Sequence, residues 1–178
     1  MWEDCYASGA MVFPQHGRVL EIGCAEADWI APLKADRPDL AVIGIDWRNE
    51  DRPSANARVI GDVLTFPFAP AAFDAIVGIS SIEHIGLGHY NADPIDVDGD
   101  RRCMVRAMKW LKPGGWIYAD VPYDPTGYRV DGTSHRCYDD AAVSARLVPH
   151  GLTEVRRWHF PTHEFSKLAY VAVLARKD

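Results

Sequence analysis

Three acidic residues stand at or near the ends of short apolar runs: Glu21 in RVLEI, Asp46 after LAVIGI, and Asp62 shortly after ARVI. Behind the first lies a patch of small and acidic residues, Gly23-Cys24-Ala25-Glu26-Ala27-Asp28. Small side chains after a strand let the backbone turn sharply and let a ligand come close to it. Asp46 follows that turn by ~20 residues, the separation expected of a carboxylate that accepts hydrogen bonds from ribose hydroxyls. Turn and carboxylates together describe a pocket for a nucleoside-bearing ligand.

A dinucleotide would need G-x-G-x-x-G to admit its pyrophosphate at a helix N-terminus, and Glu26 and Asp28 would repel a diphosphate. A nicotinamide oxidoreductase therefore ranks last. A ligand with a ribose, no phosphate and a cationic end fits the acidic loop, and S-adenosylmethionine is such a ligand.

A second group of chemistry-bearing residues lies in two stretches too long to be simple connections, 86–99 and 122–138, and just ahead of the first. His84 directly follows an apolar strand, titrates near neutrality and is a candidate general base, oriented by Glu83 or another carboxylate. His135 and Arg136 precede a helix with Asp139 near its start, placing them for a polyhydroxylated or anionic acceptor; pairing of Arg136 with a loop aspartate is an equal alternative. Asp93, Asp96, Asp98 and Asp100 miss the EF-hand spacing, because glycine stands fourth in the run, at Gly99. Helix capping by Asp98 or Asp100 is the expectation, and no metal is expected.

The elements that must position these groups alternate strand and helix. Strands are predicted at Arg18–Ile22, Leu40–Ile45, Ala57–Ile60, Phe73–Ile79 and Trp116–Val121, the last after the turn Lys112-Pro113-Gly114-Gly115. Helices are predicted over Ala27–Ala35, Arg101–Leu111 and from Asp139 to about Val148. Short buried strands with helical crossovers imply a mainly parallel α/β sheet. Leu152–Phe160 and Lys167–Arg176 are joined by too few residues for a crossover helix and should pair antiparallel.

At 178 residues the chain suits a single domain over 1–178, with 48% apolar and 25% charged residues. A net charge of −6 argues against a nucleic-acid partner. No run approaches the ~20 apolar residues that span a bilayer, so no membrane insertion is expected. Four widely spaced cysteines form no C-x-x-C pair and no alternating Cys/His set. Reduced thiols in a cytoplasmic protein are the simplest account.

The motifs in their order resemble those of class I S-adenosylmethionine-dependent methyltransferases. VLEIGCAEAD is similar to that family's first motif, GIDW to the second acidic strand end, GDVLTFPF to the third, FDAIVGISSIEHI to the fourth and LKPGGWIYADVPY to the fifth. The resemblance covers roughly residues 18 to 123 and implies a Rossmann-like seven-stranded sheet, mainly parallel with an antiparallel C-terminal strand pair. It implies S-adenosylmethionine as cofactor, with Glu21, Gly23 and Ala25 at the methionine portion, Asp46 on the ribose and Asp62 on the adenine amino group. Ser80 would meet the methionine end through its backbone, and Trp47 would flank the adenine. The family often has glycine where this chain has Ala25 and Ala27, the feature that would favour a scaffold protein that has lost methyl transfer.

The run SIEHIGLGHYNADPIDVDGD is similar to a methyltransferase-like subgroup linked to cell-surface polysaccharide pathways. The expected activity is transfer of a methyl group to a small-molecule acceptor, an oxygen nucleophile with a sugar hydroxyl as one candidate, with His84, Glu83 and His135 at the reacting end. The acceptor pocket is then built from the two long loops, or completed by a second copy in a homodimer.

Overall fold

The computed structural model describes residues 1–49, 55–88, 95–162 and 168–178, without the Glu26 side chain. Asp93, weighed above as a metal ligand, lies outside the described residues. Seven strands form one sheet: β1 (Arg18–Ile22), β2 (Ala41–Asp46), β3 (Ala57–Ile60), β4 (Phe73–Ile79), β5 (Leu111–Tyr123), β8 (Leu152–Phe160) and β9 (Ala169–Lys177). Their order is β3-β2-β1-β4-β5-β9-β8. β1 to β5 pair in parallel, whereas β9 lies antiparallel between β5 and β8. This is the α/β arrangement expected from the motif order.

Helices α1 (Trp2–Ala7), α2 (Ile30–Asp36), α3 (Gly99–Trp110) and α4 (Asp140–Ala142), with a π-helical turn at Val143–Leu147, cover the sheet. Side chains alternate between the sheet's faces, so each strand feeds two cores. Leu20, Ile76, Ile117 and Val173 pack with Met104, Ala107 and Leu147. Val19, Val77, Tyr118 and Leu174 pack with Trp2, Cys5, Ile30 and Leu33. By that alternation Glu21 and Asp120 face the α1/α2 layer, where an odd position of β1 meets an even position of β5.

Several boundaries differ from the sequence reading. α1 was not predicted, because six residues with two acids in the first turn give almost no period. α2 begins at Ile30 rather than Ala27, which leaves Pro32 in its first turn, where its missing N–H costs nothing. β5 runs through the predicted turn, as pairing slips between Phe73 and Ala75 to accommodate Lys112–Gly115. α3 starts at Gly99 with Asp98 at its N-cap position, as expected, but without a side-chain cap bond. Asp100 instead lies fully buried, accepting from Tyr138 Oη at 2.9 Å and from Arg146 at 2.7 Å. A Cβ at Gly99 would stand 2.4 Å from the Ile85 carbonyl oxygen, so glycine lets the helix start seat against the loop.

The stretch 122–138 contains an unpredicted hairpin, β6 (Arg129–Asp131) and β7 (His135–Cys137). It forms a separate two-stranded sheet, tied to β5 by the Tyr123–Tyr138 bridge. Among the described residues no helix is long and apolar enough to cross a membrane.

Candidate functional site

A cavity of about 490 Å³ opens at the carboxyl ends of β1, β2, β4 and β5, beneath α1. Parallel sheets place ligand sites there, because strand-end carboxylates and free loop backbone converge on one edge. Of the residues singled out in the sequence, Glu21, Gly23, Asp46, Trp47, Asp62, Ser80 and His84 line it. Ala25, Glu83 and His135 do not. Met1, Trp2, Asp28, Trp29, Arg48 and Asp120 complete much of the wall.

The turn after β1 takes a left-handed φ of +82° at Gly23, and a Cβ there would collide with Ser81 Oγ at 2.1 Å. Ala25 is wholly buried and is not among the residues that line the cavity. Its N–H donates to Asp46 Oδ2 at 2.9 Å, which fixes the carboxylate at the tip of β2. Asp46 Oδ1 accepts from the Arg48 N–H at 2.8 Å. An ionised carboxylate has about four acceptor sites, so capacity for ribose hydroxyls remains. Asp62 Oδ1 accepts from the Leu64 N–H at 2.7 Å, holding that carboxylate at the rim.

The floor is acidic: Glu21 and Asp120 line it almost completely buried, and Glu83, off the lining, is buried behind Ser80. Burial pushes the Glu21 carboxyl well above the usual carboxylate range, the Trp29 indole opposing and Asp120 and Asp46 reinforcing the shift. Burial likewise raises Glu83 to about 7, against its own backbone, Ser80 and Arg136. Asp120 rises to about 7 through burial, opposed by the Ser80 backbone and reinforced by the Glu83 charge. Among the described residues Glu21 Oε2 has no hydrogen-bond partner, which leaves a buried acceptor facing the cavity.

Ser80 ties two of these acids together. Its N–H donates to Asp120 Oδ1 at 2.8 Å and its hydroxyl to Glu83 Oε1 at 2.8 Å. The Ser80 N–H is thus spent on Asp120, which leaves its carbonyl as the backbone group open to a ligand.

His84 is held differently from the expectation. Its Nδ1 lies 2.5 Å from the Ser134 carbonyl, which can only accept, so Nδ1 carries the proton and Nε2 is the basic nitrogen of the neutral ring. Glu83 Oε1 stands 3.6 Å from that Nε2, beyond hydrogen-bond length. Ser134, on the hairpin turn, therefore orients the ring. His135 sits beside it with ring centroids 6.4 Å apart, but off the cavity lining.

Arg136 is fully buried and donates to the carbonyls of Glu83, Ile85, Asp96 and Val97 at 2.8–3.3 Å, with Asp100 3.6 Å away. It is a structural clamp on the loop carrying His84, not a group facing an acceptor. Sequence reading missed Asp120 and Ser134. The first was visible only as the acid of a DVPY run, and the second acts through its backbone, which side-chain identity does not report.

A family described as "Caenorhabditis protein of unknown function, DUF268" matches residues 65–151. A demethylmenaquinone methyltransferase of Roseiflexus sp. (strain RS-1) is 37% identical over 71 residues, a match spanning 35% of this chain and 30% of that protein. Among solved structures, the [4+2]-cyclase SpnF superposes with a TM-score of 0.74 at 15% identity, covering 99% of this chain and 79% of its own. A 1,6-didemethyltoxoflavin-N1-methyltransferase of Burkholderia thailandensis, bound to S-adenosylhomocysteine, gives 0.68 at 18% identity, covering 90% and 71%. The N-methyltransferase NodS of Bradyrhizobium japonicum gives 0.61 at 20% identity, covering 90% and 78%. These likenesses show a common fold, and the cyclase among them shows that the fold alone does not dictate methyl transfer.

Proposed function

We propose that this chain, which adopts the class I S-adenosylmethionine-dependent methyltransferase fold, moves a methyl group from that cofactor to a hydroxyl of a small molecule, with a saccharide as the acceptor class. The observation that carries the reading is one cavity lined jointly by Glu21, Asp46, Asp62 and His84. The cofactor supplies an electrophilic methyl group on a positively charged sulfur. Asp46 accepts from the ribose hydroxyls with the capacity left after Ala25 and Arg48, Asp62 from the adenine amino group, and Trp47 flanks the base at the rim. Glu21 and the turn at Gly23 and Ala25 hold the methionine portion, Ala25 acting through Asp46. An arriving cation draws Glu21 into its ionised form, because opposite charge reverses the effect of burial.

On the acceptor side, an oxygen nucleophile must lose its proton, and His84 Nε2 takes it as general base. Glu83 and Ser134 are positioning residues, the first through Ser80 and the second through the ring's other nitrogen. His135 supports the same wall from behind. The saccharide assignment rests on this base and on the resemblance of the run around His84. Alignment and exclusion of water by Trp2 and Trp29 contribute the rest of the barrier reduction.

Calorimetric titration of S-adenosylmethionine and S-adenosylhomocysteine tests the cofactor. Saturable binding is expected, weakened about ten- to a hundredfold in Asp46→Ala, roughly 1.5–3 kcal/mol. No binding by a folded chain overturns the reading in favour of a scaffold. Methylation of a panel of sugars and amines, read by mass, tests the acceptor. His84→Ala should cut turnover roughly 10²- to 10⁴-fold with cofactor affinity retained, and methylation of amines alone would reject the hydroxyl assignment.

A further inference from the structure

We infer that the β6–β7 hairpin carries a divalent-metal site formed by Asp131, His135 and Cys137, taking an ion of the zinc class. The sequence separates these residues and shows no metal pattern, but the hairpin brings one carboxylate oxygen, one imidazole nitrogen and one sulfur within 4.8 Å of one another. Register explains the convergence. Asp131 is paired directly with His135, and Cys137 follows two positions along the same strand, so all three project from one face.

With all three donor atoms within 4.8 Å of one another, an ion would have to draw them together by up to about 1 Å. Bond lengths of ~2.0–2.3 Å to oxygen, nitrogen and sulfur put neighbouring ligand atoms about 3.3–3.6 Å apart. His135 Nε2 already stands 3.7 Å from Asp131 Oδ2, too far for a hydrogen bond and near the span of a shared ion. The other ring nitrogen, Nδ1, lies 3.1 Å from Ser134 Oγ. A proton on Nδ1 donated to that hydroxyl leaves the Nε2 lone pair on the Asp131 side, the usual way a protein fixes a metal-binding imidazole.

The donor set selects the ion. Sulfur with imidazole suits zinc and its neighbours, whereas calcium and magnesium take oxygen. Arg129, 3.6 Å from Asp131, is the nearby cation, and it is also paired with Asp124. A metal here would join the two strands on either side of the turn that presents the Ser134 carbonyl to His84. The site stands whether or not the chain transfers methyl groups.

The test uses the full chain, stripped with a chelator and then titrated with Zn²⁺ and separately with Co²⁺. The expected result is about one Zn²⁺ per chain, and a Co²⁺ form with a thiolate-to-metal charge-transfer band. Asp131→Ala and Cys137→Ser should each weaken binding at least about 10- to 100-fold, the cost of losing a mere outer-shell partner, and Cys137→Ser should abolish the band. All four cysteines are free, so that variant separates Cys137 from the other thiols. Asp131 is exposed, and its variant keeps the test informative if the buried Cys137→Ser chain does not fold. No stoichiometric metal, a Co²⁺ form without a thiolate band, or binding unchanged by Asp131→Ala overturns the inference.

Discussion

Ser80 holds a backbone φ of +44°, a left-handed conformation that costs a non-glycine residue of order 1–3 kcal/mol. The two hydrogen bonds it gives to Asp120 and Glu83 offset that cost and hold two buried acids near one another. Each acid titrates at about 7 in the folded chain, far above an unfolded carboxyl. The fold thus keeps protons that the unfolded chain releases above about pH 4, so their contribution to stability is complete below that value and is lost as pH rises through about 7. Asp120→Asn removes one such group. The fall in melting temperature between about pH 5 and pH 8 should become shallower in that variant, and an unchanged slope would reject the assignment. Glu21, Asp46 and Asp62 were legible because an acid at the end of an apolar run is conspicuous in sequence. Asp120 was not, since nothing in DVPY reports that β5 turns it into the same cavity as Glu21.

The hairpin and the loops it braces are where sequence reading ran out. Asp131-Gly132 is a turn signal, and Gly132 has a φ of +56°, but strands of three residues are too short to show alternation. Arg136 read equally well as an acceptor contact or a structural ion; four loop carbonyls and Asp100 make it structural. Lysine cannot reproduce a planar fork shared among four acceptors. Arg136→Ala should destabilise the chain by about 3–5 kcal/mol, because it strands buried polar partners, and Arg136→Lys should recover little of it. Denaturant midpoints measure both, and a loss below ~1 kcal/mol for the alanine variant would show that water replaces the guanidinium.

The molecule's two layers are unequal in what they announce. Strands β1, β4 and β5 are buried on both faces and read as continuous apolar runs, so the sheet was legible almost throughout. The β2–β3 and β3–β4 connections carry no helix among the described residues, and none of the helices predicted from sequence falls there. α1 was invisible, yet Trp2 packs 4.5 Å from the Trp29 ring and 5.2 Å from Tyr118, closing one face of the sheet and one wall of the cavity. Trp2→Ala should therefore cost about 3–5 kcal/mol and weaken cofactor binding together. Loss of stability with unchanged affinity would confine α1 to packing.

The hairpin lends no rung to the seven-stranded sheet; beyond the Tyr123–Tyr138 bridge and its neighbouring bonds it is held by side chains. The strand ends that carry Glu21, Asp46 and Asp120 belong to the sheet, whereas Ser134, His135 and Arg136 belong to the hairpin. Under the proposed function, a lineage with this layout can re-aim His84 through the hairpin turn alone, while the cofactor side, built on the sheet, is inherited intact.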